Sequence, residues 1–397
     1  MSSTDLQHHD GRGLLAPVTP APPDEHADAS DPRRVAIRTW LGAHPSPSGA
    51  ELAAAGLVAP HWPEPWGRGA DVEYQLLIDD ELARAGVTRP VNPIGIGWAG
   101  PTLVHAGTSA QQERWLPGLL SGEEFWCQLF SEPDAGSDLA SLRTSARRDG
   151  DEWVISGQKI WTSYAHLATW GILLARTSSD GPRHRGISYF VCPMDAPGLS
   201  IRPIVDMTGD HAFNEVFLDE VRLPGDHLIG AVGDGWRLAK VTLGNERVSL
   251  SGEGALWGRG PTANDLVRLV VSSQVARNEL EREDLVRAWS HGEILRLLRL
   301  RLLEAARSGR EPGPEASVRK ALADEHGQEV MELAQRLAGS AGMLAGRGPG
   351  GAGGAVGAEW SYGFLYSRAL TIGGGTSEVQ RNIIAERVLG LARDLEG

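Results

Sequence analysis

Partway along this chain the period of its apolar residues changes and then changes back, and few architectures accommodate that. From Arg33 to Gly122 the apolar positions recur every three or four residues: Val35, Ile37, Trp40 and Leu41, then Tyr74, Leu76, Leu77, Ile78 and Leu82, then Trp115, Leu116, Leu119 and Leu120 behind a Ser109 cap. That spacing predicts helices. Between Phe125 and Pro224 the runs become short and are broken by turn residues, with Asp149-Gly150 before Trp153-Val154-Ile155, then Trp170 to Leu174 and Ile187 to Val191. This is the signature of strands and hairpins. Beyond Gly235 the helical period returns in Leu280 to Ala306, Val318 to Leu344 and Glu378 to Leu391. Helices segregated on both sides of a small antiparallel β layer give an α+β chain and exclude an alternating βαβ fold. The expected domains are a helical one over 32–123, a β domain over 124–228 and a second helical one over 229–397. Residues 1–31, rich in Pro, Asp, His and Ser, are expected to be a disordered lead-in.

Bulk properties narrow the function. The 397 residues carry a formal net charge of -13, and a chain so acidic lacks the basic footprint that nucleic acid requires. No apolar run approaches the roughly 18 residues that would span a membrane, and the polar first residues do not read as a secretory signal. The two cysteines, Cys127 and Cys192, have neither framework nor zinc spacing. A cytoplasmic protein is expected. Apart from His8 and His9, the histidines show no close spacing of metal-ligand type, and no metal is implied.

Two features carry chemistry. The stretch Cys127 to Asp138 runs from a strand-like segment into Ser131-Glu132-Pro133-Asp134-Ala135-Gly136-Ser137-Asp138, a loop able to present backbone N–H groups and hydroxyls to a ligand, although turns use the same residues. Trp236, Ala239, Leu243, Glu246 and Leu250 are spaced three or four apart, which sets one carboxylate on an apolar helical stripe. Such a group is costly unless paired or useful. Desolvation would raise its pKa toward that of a base able to take a weakly acidic C–H proton. A structural pair with Arg247 or another arginine is the plainer alternative.

The loop string, together with Gly157-Gln158-Lys159-Ile160-Trp161-Thr162-Ser163, Asn214-Glu215-Val216-Phe217, Val232-Gly233-Asp234-Gly235-Trp236 and Gly375-Thr376-Ser377-Glu378-Val379-Gln380-Arg381-Asn382, resembles the acyl-CoA dehydrogenase family over most of residues 75 to 392. The resemblance implies that the last domain is a four-helix bundle and that FAD lies between it and the β domain. It places Phe130 and Ser131 against the flavin ring, Trp161 and Ser163 packed on and hydrogen-bonded to it, and Thr376 and Glu378 among the cofactor contacts. Gln335 and Gly339 loosely match a segment whose backbone contacts the FAD diphosphate of a neighbouring subunit. On the substrate side the resemblance places Ser137 in the thioester channel, Arg247 beside the base, and the N–H of Gly374 at the thioester oxygen.

The implied reaction is α,β-dehydrogenation of an acyl-CoA, with electrons passed to an electron-transfer flavoprotein. Many relatives carry the base directly before the Gly-Thr of Ile372-Gly373-Gly374-Gly375-Thr376, but here that position is Gly374. Another branch carries it on the helix after the β domain, before an Arg, and Leu243-Gly244-Asn245-Glu246-Arg247-Val248 matches that pattern, so Glu246 inherits the role. Gly254 stands where relatives have an Arg that reaches a neighbour's FAD, with Trp257-Gly258-Arg259 following. Gly348 to Gly353 satisfies G-x-G-x-x-G, but no strand precedes it, which excludes a dinucleotide-binding βαβ unit. The substrate is expected to be a CoA or acyl-carrier-protein thioester, and the assembly a homo-oligomer or a hetero-oligomer with a related subunit. Three rival functions share these motifs: a partner subunit completing a hetero-oligomeric dehydrogenase, a flavin oxidase or monooxygenase on the same fold, and a binding module for CoA esters.

Overall fold

The helical period of the first segment becomes α1 (Pro32–Ala43), α2 (Gly49–Ala54), α3 (Val72–Arg84), α4 (Gly100–Ala106) and α5 (Ser109–Ser121) in a computed structural model that describes residues 30–249, 255–256, 260–273, 278–307, 313–343 and 358–392. Most of the expected lead-in lies outside the described residues. Asp31, Ser48 and Asp71 each accept a backbone N–H at a helix start. The cap of α5 is Thr108 and not Ser109, because the glutamine that closes a reciprocal capping box must lie three residues on, and Gln111 does so only from Thr108. Arg34, buried on α1, ties that helix to Asp80 and Glu81 of α3.

The strands are β1 (Trp126–Leu129), β2 (Ser145–Asp149), β3 (Glu152–Ser163), β4 (Trp170–Arg176), β5 (Ile187–Pro193), β6 (Leu199–Ile204), β7 (Phe213–Pro224) and β8 (Leu228–Ile229). They form one sheet in the order β6-β7-β3-β2-β4-β5-β8, with β1 also on β4. Pairing is mainly antiparallel, as expected, but β1 runs parallel to β4 along its whole length and β2 meets β4 in parallel at Ser145 and Arg176. The central strands are covered on both faces. Ile172 and Leu174 of β4, with Ile187, Tyr189 and Val191 of β5, join the core shared with α1 to α5, while Leu173, Ala175, Phe190 and Cys192 enter a second core on the other face. Alternating side chains buried on both faces produce the continuous apolar runs seen in the sequence. Both cysteines are buried and free.

Helix α6 (Gly235–Ser249) starts hard against β5: a Cβ on Gly235 would lie 2.6 Å from the Ser188 carbonyl carbon, so only glycine fits there. The chain divides into two compact units, Met1–Asn245 and Glu246–Gly397, with α6 running across the division. In the second unit α7 (Ala263–Ser273), α8 (Glu279–Arg307), α9 (Glu315–Ala338), α10 (Ala358–Tyr366) and α11 (Ser377–Ile383) pack around α9, which meets each of the other four. The expected helix over 318–344 gives way to a 3-10 turn at Gly339, and the expected helix over 378–391 becomes a π turn over Ile384–Val388 and ends there. Among the described residues no helix is long and apolar enough to cross a membrane.

Candidate functional site

In the first unit a fault in the sheet lies where the segment of Trp161 and Ser163 meets the backbone of Ser131. Between Lys159↔Val216 and Thr162↔Asn214 strand β3 holds one more residue than β7, a bulge that re-aims its side chains. Trp161 sits in this bulge at φ 59°, an unusual conformation for a residue with a side chain, and is 57% exposed. Neighbours hold it there. Ile160 N–H donates to the Ser131 carbonyl at 2.9 Å, the buried Asn214 amide donates to the Thr162 carbonyl at 3.0 Å, and Phe213 meets the indole edge-on at 5.9 Å. Ser163 is half-buried and pairs with Phe213 in the ladder. Phe130 is buried edge-on to Tyr189, and Ser131 follows it, half-buried.

The loop after Ser131 is pinned by a buried ion pair. Lys159, fully buried on β3, donates to Glu132 at 2.8 Å and to the Phe130 carbonyl at 3.0 Å. Glu132 also accepts the N–H groups of Arg143 at 2.6 Å and Thr144 at 2.9 Å. Burial pushes the Lys159 ammonium down to about 8 against the pull of Glu132. Burial by itself would raise the Glu132 carboxyl, but Lys159 and those backbone donors together hold it below its ordinary value. Both residues lie within quoted motifs, yet spacing gave no sign that they pair 27 positions apart. Ser137 is exposed on the same loop.

Glu246 is buried, at 6% exposure, as expected of a carboxylate on an apolar stripe. The stripe is rotated from the expected one. Leu238, Ala239 and Thr242 are fully buried, whereas Trp236 and Leu243 are only half-buried, and Leu250 lies outside the described residues. Thr242, one turn before Glu246, is the position that sequence reasoning missed, because a threonine breaks an apolar pattern. Its hydroxyl lies 2.8 Å from that of Thr102 on α4 and 3.1 Å from the phenol of Tyr189 on β5. Burial pushes the Tyr189 phenol up, so this chain of hydroxyls is neutral and anchors α6. The side chain of Arg247 and all of Gly254, Trp257 to Arg259 and Gly348 to Gly353 lie outside the described residues.

In the second unit the expected contacts fall into two places. Gly374 and Gly375 adopt φ 66° and 91°. Their carbonyls accept from the Gln380 amide at 3.1 and 3.3 Å, and the Gly375 carbonyl also accepts from Lys320 at 3.1 Å. Thr376 caps α11, and the exposed carboxyl of Glu378 is held below its ordinary value by hydrogen bonds to its own N–H and to Thr376. Gln335 and Gly339 stand near the other end of α9, where the Gln335 amide donates to Ser361 at 3.2 Å. At 1.5 Å per residue, Lys320 and Gln335 are roughly 22 Å apart along that helix. The two groups therefore stand too far apart to meet one small ligand together.

A flavin fits the first-unit residues: an exposed indole fixed by a bulge offers a flat stacking face, and half-buried Ser131 and Ser163, on segments that adjoin the bulge, carry hydroxyls able to hydrogen-bond a polar ring edge.

Three adjacent family models cover most of the chain: acyl-CoA dehydrogenase, N-terminal domain, over residues 34–123, middle domain over 127–221 and C-terminal domain over 233–389. Acyl-CoA dehydrogenase FadE34 of Mycobacterium tuberculosis is 46% identical over 86% of this chain, and acyl-CoA dehydrogenase IpdE1 of the same organism is 45% identical over 87%. The chain spans 88% of the length of IpdE1 but only 46% of that of FadE34. Among solved structures, the Tcur3481-Tcur3483 steroid ACAD superposes with a TM-score of 0.74 at 29% identity, over 93% of this chain and 100% of that one. The ChsE4-ChsE5 complex from Mycobacterium tuberculosis gives 0.73 at 30%, over 93% and 99%.

Proposed function

The chain belongs to the acyl-CoA dehydrogenase family, a family of FAD-binding oxidoreductases, and we propose that it serves the α,β-dehydrogenation of an acyl-CoA thioester with Glu246 as the base. The observation that carries this reading is the buried carboxylate of Glu246, one turn beyond the anchored Thr242, while the rival position Gly374 has no side chain. Glu246 accepts the substrate α-proton on its carboxylate. The N–H of Gly374, set by two left-handed glycines, orients the thioester oxygen as it gains charge. Trp161 is assigned to packing on the cofactor ring, Phe130 and Ser131 to bordering it and Ser163 to hydrogen-bonding it; Thr376 and Glu378 are assigned to cofactor contacts, and Ser137 and Arg247 to the thioester channel. Bound FAD supplies the hydride acceptor. Gln335 and Gly339, placed far along α9 from Thr376, are assigned to the cofactor of a neighbouring subunit.

A base on α6 suits a bulky acyl group, and likeness to a protein named as a steroid ACAD supports the same substrate class. Both solved structures are named for two proteins each, one of them as a complex, which supports assembly with a related subunit. Exposed apolar residues along α8, among them Leu280, Val286, Trp289 and Leu297, supply a surface for it. The electron acceptor is an electron-transfer flavoprotein, in the cytoplasm.

The test is an anaerobic titration of the FAD-loaded protein, alone and co-purified with its related subunit, against a panel of acyl-CoAs while the flavin absorption band is followed. Glu246→Gln keeps FAD and thioester binding and slows bleaching by roughly 10²–10⁴-fold. Bleaching at the parent rate in that variant would remove Glu246 from the role.

A further inference from the structure

Away from the residues described above, α8 and α9 bring two histidines and a carboxylate to one point in the second unit. His291 Nδ1 lies 2.8 Å from Glu329 Oε2, and His326 Nδ1 lies 3.8 Å from the same oxygen. One ligand atom from each of the three residues falls within 4.8 Å of the others. No spacing rule could have found this set, since His291 and Glu329 are 38 positions apart.

An ordinary His–Glu pair accounts for His291 and Glu329 but not for His326. That ring is only 8% exposed, and its Nδ1, the atom turned toward Glu329, has no hydrogen-bond partner among the described residues. The 3.8 Å separation is too long for a hydrogen bond, and a buried ring nitrogen without a partner calls for one. Burial lowers the His326 pKa, with Glu329 opposing and His291 assisting, so the ring is neutral at pH 7 and has a lone pair to offer. The helices also approach closely here: a Cβ on Gly292 would lie 3.4 Å from His326 Nε2.

We propose that His291, His326 and Glu329 bind one divalent transition-metal ion of the zinc class, clamping α8 to α9. Two imidazoles and one carboxylate are a nitrogen and oxygen set that zinc accepts, with the fourth position open to water on the side where His291 is half-exposed. Bonds of about 2.0–2.1 Å place tetrahedral ligand atoms about 3.3 Å apart, inside the range of separations seen here, so rotation of exposed His291 completes the geometry. The site is independent of the flavin reading and would serve cohesion of the helical unit.

The deciding experiment titrates tag-free, chelator-stripped full-length protein with Co²⁺, read by its visible d–d absorption, then displaces it with Zn²⁺. One equivalent is expected to bind and to raise the melting temperature. His291→Ala, an exposed change that leaves the fold intact, should weaken binding at least about tenfold and abolish the thermal shift, with Glu329→Gln acting alike. A His8→Ala/His9→Ala control should bind as the parent does. No bound Co²⁺, unchanged binding in His291→Ala, or binding lost in the His8/His9 control would each overturn the proposal.

Discussion

Each unit presents a loop of small residues to its expected ligand, and each loop is fastened by a buried lysine, but the fastenings differ. In the first unit Lys159 reaches from a strand to Glu132 in the loop itself, and that carboxylate spreads onward to two backbone N–H groups of residues 143 and 144. In the second, Lys320 pairs with Asp324 one turn away on its own helix at 2.5 Å and, among the described residues, donates to the loop at the Gly375 carbonyl. The ion pair is thus part of the loop in one case and part of the scaffold in the other. Where the pair lies in the loop, charge fixes the loop's shape. Where it lies in the scaffold, shape rests on backbone conformation, which explains why left-handed glycines occur at 374 and 375.

The largest expected effect is on the first fastening. Lys159→Met strands a buried carboxylate and should cost about 3–5 kcal/mol in denaturant unfolding, with part regained in Lys159→Met/Glu132→Gln. The parent should also show a pH signature. An unfolded lysine keeps its proton up to its ordinary 10.5, whereas folded Lys159 releases it at about 8. Between those values the unfolded chain binds more protons, so unfolding free energy rises with pH, by about 1–3 kcal/mol. Lys159→Met should lack that rise. A parent whose stability is flat or falling from pH 8 to 10.5 would break the assignment.

What the sequence disclosed follows from how local each signal was. Period and turn chemistry are local, and the helix, sheet, helix order was legible from them, as was the burial of Glu246. Pairings across the fold were not. Lys159 and Glu132 stood in separate motifs, His291 and His326 on separate helices, and a list of residue spacings contains neither contact. Small rotations were also hidden. Thr108 and Ser109 both carry hydroxyls, and only the position of Gln111 decides between them, while Thr242 is buried through hydrogen bonds that an apolar pattern does not register. At the β3 bulge, the motif named Trp161, but its exposure depends on an irregularity that exists only once β3 and β7 pair.

The second fastening should be the weaker. Lys320→Met removes a pair within one helix and a single bond to the loop, but Asp324 keeps a further interaction, so an expected loss of about 2 kcal/mol follows from the lost charged hydrogen bonds. Denaturant midpoints of the two methionine variants compare them directly. Equal losses would mean that the scaffold pair carries as much as the loop pair and would erase the distinction.

Glycine substitutions sharpen the contrast with the smallest effects. Gly136 belongs to the first loop, has no left-handed φ, and a Cβ there meets nothing within 4 Å. Gly136→Ala should change stability by no more than about 0.5 kcal/mol. Gly375 has φ 91°, and a Cβ there would lie 2.7 Å from the Gln380 amide nitrogen that holds the loop. Gly375→Ala should therefore cost about 1–2 kcal/mol, the strain of a left-handed alanine together with a displaced hydrogen bond, read as a lower melting temperature than that of Gly136→Ala. The glutamine side chain could swing aside, but it is fully buried and its amide serves both glycine carbonyls, so relief of the clash gives up those bonds. If the two alanine variants melt together, conformation is not what shapes the second loop, and Lys320 must do more than touch it.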